Sequence, residues 1–248
     1  AGLLLAAASY WFLAPAPPPE SAQPVAEVAE PAAVAAPPPA DAAPSAPARL
    51  QPDWLAREHD AAWRGLGTLW EDPGGGGLIG AACSGVAGTG YGCLRDRGSW
   101  ARIRQLGLPV VLLLRGAEER LLLLRGLNDE RVLVGSPGNE LAVPRSQLEP
   151  LWLGTYFVAW PQAPTWPRQI GRDDSGPAVD TVLGLAAGVD PPYTGPGEFG
   201  VGFEDWLKAF QSSHGLQADG IVGPNTLLYL MRPSISSPTL LTHWEARG

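Results

Sequence analysis

Basic residues are few in this sequence and none of them cluster: 17 lysines and arginines stand against 25 acids, for a formal charge of −8. Neutralising a nucleic-acid backbone takes a concentrated basic face, so that class of partner is excluded. No polybasic run is present to attract anionic lipid. No GxxxxGKS or GxxxxGKT motif occurs, and ATP hydrolysis is therefore not assigned to this chain. Methionine is nearly absent. The single one, Met231, lies deep in the chain, so a sequence opening at Ala1 reads as a fragment or a processed product. Long apolar runs are also lacking. The opening "AGLLLAAASYWFLAP" is apolar as far as Leu13 and ends in Tyr10, Trp11 and Phe12, side chains that favour a membrane interface. It falls short of the ~20 residues a spanning helix needs. A signal-peptide core would carry a charged start, so the segment is read as the distal part of a truncated transmembrane helix, residues 1–14.

Glycine and proline are abundant instead, 31 and 27 residues, about twice their average share. Much of the proline falls in residues 15–52, built largely from Ala, Pro, Val and a few acids. Proline denies helix hydrogen bonds and alanine offers little to bury, which predicts an extended spacer reaching on the order of 100 Å. From Asp53 the spacing of Trp54, Leu55, Ala62, Trp63, Leu66, Leu69 and Trp70 predicts an amphipathic helix with Asp53 as its N-cap, closed by Gly74 to Gly77. A short helix, a glycine-rich loop and a second helix follow. Short apolar runs at 110–114, 121–124 and 132–134, separated by "RGAEER" and "RGLNDE", predict antiparallel strands with two hairpins. A short helix near Ser146 and a fourth strand at 156–160 complete an α+β domain over residues 53–161. Three further helices are predicted within 168–232, and 233–248 is left as a C-terminal tail.

The third of these helices is announced by "FQSSHGLQADGIVGPNTLLYL": Gly215 ends one helix in a left-handed cap, Asp219-Gly220 turns, and Pro224 opens the next helix. Phe210, Gln211, Gly215, Leu216, Asp219, Gly220, Val222, Gly223, Thr226 and Leu230 match the signature of the peptidoglycan-binding domain found at the ends of many bacterial cell-wall proteins, which this segment resembles. The resemblance implies a three-helix fold and a groove for peptidoglycan. Candidate contacts are Gln211, Asp219, Asn225 and Thr226, with Tyr229 beside them, since stem peptides and sugars offer amides, carboxylates and hydroxyls to paired donors and acceptors. Each of these residues could equally cap a helix or close a turn.

Cys83 and Cys93, the only two cysteines, bracket the glycine-rich loop. A nucleophilic thiol at a helix start needs a histidine base and an orienting group. A zinc site wants four ligands, and only His59, His214 and His243 accompany the thiols. A structural disulfide is the third possibility. The stretch "ACSGVAGTGYGCLRDRGSWARIRQLGLPVVLLL", the hairpins after it and "LEPLWLGTYFVAW" resemble the papain-like C39 peptidase fold, in the divergent form that precedes the wall-binding module of the general secretion pathway protein A family. Active C39 peptidases open one strand with the catalytic histidine and close the next on Asp-Pro. Here the resemblance puts Arg120 at the first position and Ser136-Pro137 at the second. Arginine stays protonated and cannot act as a base. With base and orienter missing, and His59 upstream on a helix, the resemblance favours a Cys83–Cys93 disulfide over catalysis.

Taken along its whole length, the chain resembles the periplasmic part of that family, from type II secretion. The resemblance implies a non-catalytic adaptor without cofactor or metal, held at the inner membrane of a Gram-negative bacterium with its bulk in the periplasm. Its expected partners are peptidoglycan, general secretion pathway protein B and the outer-membrane secretin. The alternative is an active cysteine peptidase or cell-wall amidase using Cys83. An exposed sheet edge or the tryptophans Trp54, Trp63, Trp70 and Trp100 would supply the partner surface.

Overall fold

The computed structural model describes residues 49–244; the expected membrane segment and nearly all of the expected spacer lie outside them. Among the described residues no helix is long and apolar enough to cross a membrane. Helix α1 (Pro52–Leu69) starts one residue before the expected Asp53 cap: Pro52 takes the first helical position, Gln51 is the N-cap, and Asp53 sits in the first turn. Proline fits there because its missing N–H would have had no partner anyway. Helix α2 (Gly77–Cys83) follows a tight loop in which Gly76 holds φ 89° with its backbone against the Trp63 carbonyl. A side chain at Gly76 would collide with that carbonyl.

Six strands form one antiparallel sheet, in the order β1-β6-β2-β3-β4-β5. Strands β2 (Val110–Leu114), β3 (Arg120–Leu127) and β4 (Arg131–Val134) occupy the three expected runs, and β6 (Trp152–Pro161) the fourth. Two strands were not expected. Strand β1 (Tyr91–Arg97) forms where a loop was read, because every one of its residues pairs with β6, from Tyr91 opposite Pro161 to Arg97 opposite Thr155. Strand β5 (Leu141–Pro144) pairs with β4 and leaves only a single 3-10 turn, Arg145–Gln147, where a helix near Ser146 was expected. Helix α3 (Trp100–Leu106) is capped by Ser99, whose hydroxyl accepts from the Arg102 amide.

The sheet is covered on both faces, which explains why β2 and β3 read as unbroken apolar runs rather than alternating ones. Val111, Leu123 and Ala159 join Ala62, Leu66 and Ile79 under α1 and α2. Val110, Leu112, Leu122, Leu124, Val158 and Trp160 point to the opposite side. That second core continues without a break into α4 (Pro177–Ala187), α5 (Val201–Ser213) and α6 (Pro224–Met231), through Val182, Phe203, Leu207 and Leu227.

The chain beyond α6 returns to the sheet. Arg232 donates to the carbonyls of Leu106 (2.7 Å) and Gly107 (3.1 Å) at the end of α3. Leu240 is buried and its amide donates to Gly107 O (2.9 Å). Leu241 forms a parallel bridge to Gly126, with Leu127 N donating to Leu241 O and Leu241 N to Arg125 O. The sheet and the three helices are therefore packed and hydrogen-bonded as one unit.

Candidate functional site

The loop joining α5 to α6 is organised by one side chain. Gln211 is 1% exposed. The two hydrogens of its Nε2 are shared among Asp219 Oδ1 (2.9 Å), the Ile221 carbonyl (2.9 Å) and Thr226 Oγ1 (3.1 Å), and its Oε1 accepts from the Gly220 amide (2.9 Å). Asp219 Oδ1 also accepts from the Ile221 amide at 2.9 Å, closing an Asx turn. Gly215 (φ 64°) and Gly220 (φ 74°) take the left-handed conformations the turns require. One amide thus fixes the shape of residues 219–226, and the "FQ…DG…T" pattern is legible as a folding device. Gln211 and Thr226 face inward and spend their polar groups within the fold.

Asp219 and Asn225 are placed differently. Both line a polar groove of about 610 Å³ whose other wall comes from the sheet half, through Asp96, Arg97, Ser99 and Arg102. Asn225 Oδ1 is buried and has no hydrogen-bond partner, a costly state for an amide unless a ligand or water serves it. Of the four candidate contacts, Gln211 alone stands behind the groove; Thr226 also lines it but is 4% exposed, with its hydroxyl accepting from Gln211.

A chain of aromatic contacts runs along α5 to α6 and meets the sheet half at Arg102. Phe203, Trp206 and Phe210 stack at 5.4 Å steps, His214 lies 4.2 Å from Phe210, and Tyr229 lies 5.2 Å from His214. The Arg102 guanidinium sits 4.9 Å from the centre of the Tyr229 ring and donates to the His214 carbonyl (2.8 Å). Tyr156 donates to Asp96 Oδ2 at 3.0 Å, and burial together with that carboxylate pushes its phenol far above the usual value. Burial likewise raises Tyr229, whose hydroxyl has no partner. Both phenols therefore remain neutral donors at physiological pH. Asp96 and Arg102 were not legible as site residues: nothing in "LRDRGSWARIRQ" marks them until β1 and α3 are folded against α6.

The cysteine region is not arranged for catalysis. Cys83 is the last residue of α2, not the first, and is bonded to Cys93 on β1 with Cα atoms 5.0 Å apart. No free cysteine exists among the described residues. Arg120 donates to the Pro52 carbonyl (3.0 Å), and His59 Nδ1 accepts from the Leu121 amide (2.9 Å). Arg120 opens β3, three strand positions from β1, or about 14 Å at ~4.8 Å per strand, and His59 lies on α1 with its Nδ1 taken up by the β3 backbone. The thiol, base and orienter of the alternative reading are not brought together. Ser136, in the position compared with Asp, serves as a donor to Glu58 from both its amide (2.6 Å) and its hydroxyl (3.3 Å). No cluster of three or more metal-type ligands occurs among the described residues. Replacing both cysteines by serine is expected to lower unfolding free energy by about 2–3 kcal/mol, because the bond closes a loop of some ten residues. A lower urea midpoint would register it, with a slope equal or slightly steeper as the unfolded chain loses its cross-link.

The four tryptophans are half-buried, each with part of its ring packed on the fold. Trp63 meets Phe157 edge-on at 5.5 Å, Trp100 lies 4.2 Å from Trp152, and Trp54 and Trp70 pack against the core.

Comparison with known proteins places this geometry. A family model described as "Putative peptidoglycan binding domain" matches residues 183–230, from the second half of α4 through α6. A curated relative, "Putative general secretion pathway protein A" of Escherichia coli K12, is 28% identical over 156 residues, covering 60% of this chain and 31% of that protein. The chain thus spans about a third of the relative's length. Among solved structures, a periplasmic domain of the EpsAB fusion protein of the Vibrio vulnificus type II secretion system aligns with a TM-score of 0.50 at 20% identity, over 77% of this chain and 95% of that one. That likeness is one of fold.

Proposed function

We propose that this chain is a non-catalytic, wall-binding adaptor of a type II secretion system, working on the periplasmic side of the inner membrane. In this reading it holds peptidoglycan through the α4–α6 unit and, with general secretion pathway protein B, helps assemble or insert the outer-membrane secretin. The observation that carries it is the wall-binding match at residues 183–230 on a chain similar to general secretion pathway protein A. The Gln211-centred loop supplies the physical reason: it holds Asp219 and Asn225 in a fixed groove wall. The sheet half is a degenerate C39-type domain, with Arg120 and Ser136 standing where a peptidase would hold its base and orienter. Wall binding by one half raises the effective concentration of whatever the other half holds. The edge strand β5, paired only with β4, is the surface for a partner strand.

Co-sedimentation of the whole chain with isolated peptidoglycan sacculi tests the reading. The protein is expected in the pellet, and Asn225→Ala is expected to weaken binding severalfold without moving the urea midpoint, since Oδ1 has no partner within the fold. Failure of the unaltered chain to pellet at low salt overturns the proposal.

A further inference from the structure

The groove beside Asn225 is lined from both halves of the chain, by two cationic and two anionic side chains. Arg97 and Arg102 face Asp96 and Asp219 among its lining residues. None of the four makes an ion pair among the described residues, whose salt bridges all lie elsewhere. Arg102 is half-buried and held in place twice, by the His214 carbonyl through Nη1 and by the Tyr229 ring. Its Nε and Nη2 have no acceptor among the described residues. Asp219 is held by Oδ1 alone, which takes both internal donors, and Oδ2 is left over. Asp96 is occupied at both oxygens, by the Arg97 amide and the Tyr156 hydroxyl. Near this floor lies the Tyr229 hydroxyl, on a residue 7% exposed and without a partner. A guanidinium held in place in the same groove as a carboxylate with one oxygen to spare offers charge-assisted hydrogen bonds of both signs to a ligand of matching charge.

We propose that this groove binds a zwitterionic amino-acid end, the Arg102 guanidinium taking its carboxylate and Asp219 Oδ2 its ammonium group. The proposal rests on the wall-binding reading and deepens it. The ligand is the free amino-carboxylate terminus of a diamino acid in the stem peptide, not the sugar chain, and the sheet half supplies the cation. Specificity follows from the arrangement. A peptide whose side-chain amine is already cross-linked offers Asp219 no charge, so uncross-linked wall is preferred.

The test uses the whole chain and sacculi whose stem peptides carry diaminopimelate, untreated or with their free amines acetylated. Asp219→Asn keeps the Oδ1 acceptor of the turn and removes only the charge at the second oxygen; Arg102→Gln removes the cation, and Arg102→Lys keeps it. Each charge-removing change is expected to weaken binding to untreated sacculi by about tenfold to a hundredfold, the loss of one charge-assisted hydrogen bond. Acetylation should weaken the unaltered protein similarly and leave Asp219→Asn unaffected, a pattern that a merely structural role would not produce. Arg102→Lys should fall between, and urea midpoints identify any variant that has lost its fold. If the unaltered chain pellets and neither acetylation nor either charge-removing variant changes its affinity by more than twofold, the zwitterion site is overturned while the wall-binding reading stands. If the unaltered chain does not pellet, both fall together.

Discussion

Glu58→Ala is expected to lower the unfolding free energy by about 3–4 kcal/mol, a large share of the 5–15 kcal/mol that holds a typical domain. Glu58 lies on the buried face of α1 at 1% exposure. Its carboxylate accepts from the Ser136 amide (2.6 Å), the Ser136 hydroxyl (3.3 Å) and the Asn139 side-chain amide (2.5 Å), all on the turn between β4 and β5. Alanine leaves these donors facing a space they cannot hydrate freely. A stranded buried donor costs about 1–3 kcal/mol, against about 0.5–1.5 kcal/mol for an ordinary net hydrogen bond. Glu58→Gln discriminates the cause. It keeps one acceptor oxygen for Asn139 but turns an N–H toward the Ser136 amide, so most of the loss should remain. Urea unfolding of both variants checks this, and a change below 1 kcal/mol in each would mean that α1 is held by apolar packing alone.

Gln211→Ala is expected to cost about 3 kcal/mol or more and to abolish wall binding with it. Four internal hydrogen bonds meet on that amide, and removal strands the buried Gly220 amide and the Ile221 carbonyl together. Gln211→Glu should fare no better, because it replaces the donor facing Asp219 Oδ1 and the Ile221 carbonyl with an acceptor. Amide exchange at Gly220 and Ile221 gives the local readout: protection should fall there before the sheet loosens. A variant that keeps protection but loses binding would instead make Gln211 a contact residue. The comparison with Asn225→Ala separates the two roles, since Asn225 Oδ1 contributes no hydrogen bond to the fold.

The elements written in local pattern were the legible ones. The runs of β2 and β3, the spacing of α1, and the Gly215, Asp219-Gly220 and Pro224 punctuation around α5 and α6 each depend on neighbours within a few residues. Strand β1 was not legible. "YGCLRDR" has weak strand character, and its conformation comes from pairing with β6 about sixty to seventy residues away. The tail beyond Pro233 failed to signal for the same reason. Arg232 and Leu241 find their partners at Leu106, Gly107 and Gly126, contacts no window of sequence contains.

The candidate site divides along the same line. The residues of the "FQ…GL…DG.VG..T" pattern specify a loop, and sequence alone determined that this loop would form, because capping, left-handed glycine and the Asx turn are local interactions. It could not decide which polar groups the loop would spend on itself. Only the tertiary structure did that, by burying the Gln211 amide and joining the Thr226 hydroxyl to it while leaving Asn225 Oδ1 and one oxygen of Asp219 unserved. Only the tertiary structure, too, brought Arg102 across from α3 to face them. A fold's hydrogen bonds along the chain are set by adjacency, whereas the charge left over at a surface is what remains after every distant pairing has been made.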